Sequence, residues 1–205
     1  MIVIGIDPGY GRVGYGIISY NQNKYKVIEY GCITTKEKSY FPKRLNKIEE
    51  DLEQIIKKYP FIDAASVEEL YFNTNTTTAI NVAQARGVII NTLARNGIEV
   101  FEYTPLQAKQ AVVGYGRAEK TQVKEMTKKL LKLENMPALD DTTDALAIAI
   151  CHTNFSKFNS ISNNNSDGSS ETNLVKQIKL LEKEGKKAAK NLEIRIKEST
   201  KKINY

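Results

Sequence analysis

One run constrains this chain more than any other: Ala145-Leu-Ala-Ile-Ala-Ile150 is apolar at every position, and Asp140, Asp141 and Asp144 stand at its start. A helix that is apolar nearly all round has no face to give to water and is buried. The pattern therefore predicts a helix over about 141–154, inside the molecule, with its acidic residues at the N-terminal end.

What covers that helix is read from the residues before it. Residues 2–7, 14–20 and 25–35 alternate as strands, with turns at Pro8-Gly9-Tyr10-Gly11 and Asn21-Gln22-Asn23, and predict an antiparallel meander. Leu45, Ile48, Leu52, Ile55 and Ile56 recur at helical spacing over 43–58. A strand at 62–68, a helix at 76–95 rich in small residues (Ala79, Ala83, Ala85, Gly87) and a strand at 97–103 follow, then helices at about 105–112 and 119–132 around Gly114-Tyr115-Gly116. Three antiparallel strands followed by helix-linked strands that pair in parallel describe an α/β sandwich, a five-stranded mixed sheet flanked by helices.

Past the buried helix the composition changes. Residues 1–155 form the expected catalytic-sized body and 156–173 a flexible polar linker, because Ser160–Thr172 is nearly all Ser, Asn, Asp and Gly and cannot bury enough apolar area to offset its ordering entropy. Over 174–202, Leu174, Ile178, Leu181, Ala188 and Leu192 predict a basic amphipathic helix interrupted at Gly185. The formal net charge of +6 resides there: residues 173–205 hold ten Lys/Arg and four Asp/Glu, leaving twenty of each sign in residues 1–172. A body neutral overall attracts a polyanion only through local clustering.

No stretch reaches the roughly 18 apolar residues of a membrane span, and Met1 runs into a strand pattern rather than a signal peptide. Cys32 and Cys151 make no CxxC pair and are expected as buried thiols in a reducing cytoplasm.

The chemistry lies in the acids. Asp7 ends the first strand and enters the glycine-rich turn Gly5-Ile-Asp-Pro-Gly-Tyr-Gly-Arg-Val-Gly14. An acid followed by spaced glycines also resembles the first phosphate loop of actin-like ATPases, but those folds duplicate the domain and nothing here repeats that loop. Glu68 and Glu69 end another strand, where alternation sends them to opposite faces and lets only one join Asp7. An N-cap accounts for one acid among Asp140, Asp141 and Asp144, not three. Clustered carboxylates repel unless protonated or neutralised, and oxygen-only ligation suits Mg²⁺ or Mn²⁺. Two such ions balance four carboxylates.

Six ordered blocks then carry a resemblance: Gly5-Ile-Asp-Pro-Gly9, Val67-Glu-Glu-Leu-Tyr71, Val82-Ala-Gln-Ala-Arg-Gly87, Gln107-Ala-Lys-Gln-Ala-Val-Val-Gly114, Ala118-Glu-Lys-Thr-Gln-Val123 and Asp141-Thr-Thr-Asp-Ala-Leu-Ala-Ile-Ala-Ile150. In order and spacing they resemble the RuvC family of Holliday-junction endonucleases. The resemblance spans residues 1 to about 154. It implies an RNase H-like fold, a homodimer acting on four-way junction DNA with the RuvA-RuvB branch-migration complex, and metal-dependent catalysis by Asp7, Glu68, Asp141 and Asp144, its register selecting Glu68 over Glu69 and Asp141 over Asp140.

The same resemblance implies that Lys109 and Lys120 lie beside the scissile phosphate, with Arg117 as a further DNA contact, and that Tyr71 and Phe72 belong to a loop that stacks on unpaired bases at the branch point. A related RNase H-like nuclease of the YqgF type is the neighbouring reading; the lysine blocks and the aromatic pair favour RuvC. His152, the lone histidine, falls eight residues past Asp144, about 12 Å along a helix. It is expected at the helix C-terminus, favoured by the dipole, and not as a metal ligand.

Overall fold

A computed structural model describes residues 1–70, 76–135 and 137–163. Tyr71, Phe72 and the 174–202 tail lie outside the described residues. The element order is β1 (Ile2–Asp7), β2 (Arg12–Asn21), β3 (Lys24–Thr34), α1 (Phe41–Lys58), β4 (Ala64–Glu68), α2 (Thr76–Arg95), β5 (Glu99–Tyr103), α3 (Pro105–Val113), α4 (Lys120–Leu131) and α5 (Asp140–Asn163). The strands form one sheet in the order β3-β2-β1-β4-β5. β1, β2 and β3 pair antiparallel, while β1 with β4 and β4 with β5 pair in parallel.

Strand alternation divides the core into two layers. Ile4, Ile6, Ile17, Ala65 and Val67 point to one face, where they meet Ile48 and Leu52 of α1 and Ile89 and Leu93 of α2. Val3 and Ile18 point to the other, against Leu146, Ala149 and Ile150 of α5 and residues of α3 and α4. Each fully buried Ile or Leu contributes about 1.5–3 kcal/mol relative to leaving it exposed. α5 lies in this second layer with Ala145 through Cys151 essentially inaccessible, as its unbroken apolar run requires. No helix among the described residues is long and apolar enough to cross a membrane.

Three expectations need correction. α5 does not stop near 154 but runs to Asn163, so 156–163, expected as linker, is helical. Elongating an existing helix adds one hydrogen bond per residue fixed, so a nucleus as well anchored as 145–151 carries helix into a polar sequence that would not start one. His152 therefore sits mid-helix, not at a C-terminus. It is 3% exposed, with Nδ1 2.9 Å from the Tyr103 hydroxyl and Nε2 3.1 Å from Ser156 Oγ. Burial pulls its pKa down to about 4, so it is neutral and cannot answer a dipole with charge. Cys151 is buried as expected, but Cys32 is only half-buried.

Candidate active site

The register of the sheet decides which acids meet. Asp7 pairs with Gly14 of β2, and the parallel pairing of Gly5 with Ser66 and of Ile6 with Val67 continues to bring Asp7 level with Glu68 on one face. Glu69 lies one residue on, its backbone N–H donating to the Tyr103 carbonyl at 2.8 Å. The acids that act most strongly on Asp7 are Glu68, Asp144 and Asp141.

Glycines bring the helical acids to the strand acids. A Cβ on Gly5 would stand 2.1 Å from the Ala145 carbonyl oxygen, on Gly14 2.0 Å from that of Asp141, and on Gly16 2.5 Å from a Leu146 methyl. Gly5 and Gly16 are direct cross-strand partners, and Gly14 faces Asp7. Together they make a bare floor on which α5 rests backbone against backbone. Thr142 Oγ1 fastens the helix start to β3 through the Gly31 carbonyl, 3.1 Å away.

Burial first, then the charges of Glu68, Asp144 and Asp141, push the Asp7 carboxyl up to about 8. Burial and Asp144 likewise raise Glu68, opposed by its hydrogen bond with Asp7 and by the charges of Lys120 and Lys109. Asp144 is raised by burial, against the pull of Lys120, whose Nζ is 3.1 Å from Asp144 Oδ2. Burial pulls the Lys120 ammonium down, but Asp144 and Asp140 outweigh it and leave it above the usual lysine range. Asp140 differs from its neighbours: it is exposed, held 3.1 Å from Lys124, and its pKa is lowered by that contact.

Lys109 of α3 and Lys120 of α4 line a cleft of about 140 Å³ with Glu68, Asp144 and Ile148. Both helices are fixed by their starts. Thr104 and Gln107 cap α3 reciprocally at 2.8 and 3.1 Å, and Gln122 Oε1 receives the Glu119 N–H at 2.9 Å before α4. Arg117 is exposed in the connection between them.

The donor set fits a hard divalent cation. Carboxylates forced together and out of water, one of them pushed to about 8, are what such a cation relieves. The buried Oδ2 of Asp141 receives no hydrogen bond, although Arg12 Nε lies 2.9 Å away. Among the described residues no three acids, His or Cys converge tightly enough to hold an ion as they stand, and Lys120 and Arg12 pair with Asp144 and Asp141.

Two arginines had no role in the sequence reading. Arg12 opens β2, and its place two residues before Gly14, the partner of Asp7, could have flagged it. Arg86 of α2 donates to the Glu68 carbonyl at 3.3 Å and pairs with Glu102 at 2.7 Å, tying α2 to the ends of β4 and β5. It stood inside one of the six blocks, but nothing in its local pattern pointed to a strand end.

A five-stranded mixed sheet with acids at the ends of its first and fourth strands, met by the start of a buried helix, defines an RNase H-like protein with an acidic site. The family model for the crossover junction endodeoxyribonuclease RuvC matches residues 3–152, and the chain belongs to that family. It is 54% identical over 161 residues to a crossover junction endodeoxyribonuclease RuvC of Alkaliphilus metalliredigens, covering 78% of this chain and 98% of that one. The fold is similar to Thermus thermophilus RuvC (TM-score 0.71, 29% identity, 77% of this chain and 96% of that one). It is also similar to T. thermophilus RuvC in complex with a Holliday junction substrate (TM-score 0.73, 29% identity, 77% and 95%).

Proposed function

We propose that the chain is a structure-selective endonuclease that resolves four-way DNA junctions in recombination and repair, by paired, symmetric hydrolysis of phosphodiesters. The observation that carries this is the convergence of Asp7, Glu68, Asp141 and Asp144 in a chain of this family. Asp7, Glu68, Asp141 and Asp144 would hold divalent cations, Mg²⁺ or Mn²⁺, two of which balance four carboxylates. Bound there, such ions would supply an activated water and charge stabilisation of the leaving 3′-oxygen. Lys120 and Lys109, at the cleft beside Glu68 and Asp144, hold the scissile phosphate and offset its charge. Arg117, exposed between α3 and α4, adds a backbone contact. Products carry 5′-phosphate and 3′-hydroxyl ends.

Symmetric cutting needs two sites, and a two-fold homodimer supplies them. The outer face of α2 supports this: Ile80, Ala83, Gly87 and Ala94 are exposed, and a Cβ on Gly87 would meet nothing within 4 Å. Tyr71 and Phe72 stack on bases opened at the branch point. By family, the RuvA-RuvB complex is the partner and the cytoplasm the location. The basic tail tethers either DNA or a partner helix to the body.

Incubating the protein with a synthetic four-way junction and a matched linear duplex, with Mg²⁺ and with EDTA, tests the reading. Nicked-duplex products from the junction alone, in Mg²⁺ alone, are expected. Equal cutting of both substrates would overturn junction selectivity.

A further inference from the structure

A second concavity, of about 380 Å³, lies on the α1 side of the sheet end. Lys36, Lys43, Arg44 and Lys47 line it with the hydroxyl-bearing Thr35 and Ser39, and no acidic side chain does. Arg44 is its floor, only 7% exposed. The guanidinium donates to Thr35 Oγ1 at 2.8 Å, the Tyr10 carbonyl at 3.1 Å and the Glu37 carbonyl at 3.5 Å, and it stands 4.5 Å from the Tyr10 ring centre. Every acceptor is neutral. Buried cations are ordinarily matched by a counter-charge, and no carboxylate among the described residues forms an ion pair with this one.

Two further features share the same sign. α1 starts here without a capping side chain and without an acid in its first turn, so its dipole favours an anion. Lys36 and Lys43 are exposed, while Lys47 is shared with Asp51 at 2.6 Å. Position decides what kind of anion fits. Thr34 pairs with Arg12, whose Nε is 2.9 Å from Asp141 Oδ2, and β3 lies two strand spacings, about 10 Å, from β1. The groove and the acid cluster therefore lie at the same end of one sheet, the groove on its α1 side and the acids on its α5 side, so an arm of DNA leaving the acids around the sheet end passes the groove.

We infer that this groove seats a backbone phosphate of the DNA arm that leads away from the cleavage site, reading charge and not sequence. The inference rests on the junction-binding reading above and adds to it a contact outside the four-carboxylate site. Arg44 supplies a fixed cation at the bottom, and Lys36 and Lys43 close over the phosphate from the rim. Such a contact fixes the register of the DNA on the protein without contributing to base recognition.

The test is binding in EDTA by the full chain, its Lys36→Gln/Lys43→Gln variant and a Lys24→Gln/Lys26→Gln control at the far end of β3. Four-way junctions of two sequences are titrated at several salt concentrations. Loss of one phosphate contact makes the slope of log K against log salt shallower by about 1 and weakens both junctions alike, with the control matching the parent. A variant whose slope and affinity equal the parent's overturns the inference. It does so even if inorganic phosphate raises the parent's melting temperature, because the groove would then serve a free anion. A parent that binds no junction overturns the junction reading and this inference together; a parent that binds while the variant matches it overturns the inference alone.

Discussion

Gly5 lies so close beneath Ala145 that a Cβ on it would stand 2.1 Å from the Ala145 carbonyl oxygen. This contact sets the height of α5 above the sheet, and with it the distance from Asp141 and Asp144 to Asp7. The site is thus built by the absence of side chains as much as by their presence.

Adding a methyl at that floor should be costly. Gly5→Ala and Gly14→Ala each force backbone apart, and overpacking of this kind costs about 1–3 kcal/mol or more. For a chain of this size each kcal/mol lowers the melting temperature by about 2–4 °C. Calorimetry of the two variants checks this, and cleavage should fall further than stability in Gly14→Ala, whose clash is with Asp141 itself. Unchanged melting would show that α5 does not rest on these glycines.

Removing one carboxylate should stop chemistry but spare DNA binding. Asp7→Asn, Glu68→Gln, Asp141→Asn and Asp144→Asn are each expected to lower the cleavage rate by at least about 10²-fold, since several kcal/mol of metal-borne charge stabilisation are lost. Asp140→Asn should keep most activity, because Asp140 is engaged by Lys124 at the surface. Single-turnover cleavage beside a mobility-shift assay separates the two effects.

A pH signature follows from Asp7. Its carboxyl stands at about 8 in the folded protein against 3.8 for an unperturbed aspartate. The folded state therefore binds the extra proton between those values, and stability falls as pH rises through that window. In EDTA, Asp7→Asn should melt higher than the parent at pH 8, with the difference shrinking toward pH 4. Mg²⁺ should raise the parent's melting temperature more at pH 8 than at pH 5, because ligation must displace the proton. A parent indifferent to Mg²⁺ at both values would count against a cation at these acids.

The α2 face offers a separate check on the dimer. Gly87→Arg places a large cation where a Cβ meets nothing within 4 Å, so the fold should persist. Light scattering should report a monomer for the variant and a dimer for the parent. A variant that stays dimeric would move the interface elsewhere.

Much of this was legible in the residues because local and global signals agreed. Period-two alternation gave the five strands, and the run from Ala145 to Ile150 gave the buried helix. Strand-end positions put Asp7 and Glu68 where the register makes them neighbours. What was not legible depended on contacts distant in sequence. Arg86 reaches Glu68 across 18 positions, and the Gly5 contact with Ala145 spans 140. His152 was misplaced because composition marked a helix end after 154, whereas cooperativity carried the helix to Asn163.

The most direct test of the account is to map cleavage of a four-way junction, labelled in turn on each strand, by the parent, Glu68→Gln and Glu69→Gln in Mg²⁺. Glu68 lies level with Asp7 and on its face, whereas strand alternation turns Glu69 to the other face. The account predicts symmetric paired nicks from the parent and from Glu69→Gln, and none from Glu68→Gln. Equal loss in both variants, or nicks in Glu68→Gln at the parent's rate, would contradict it.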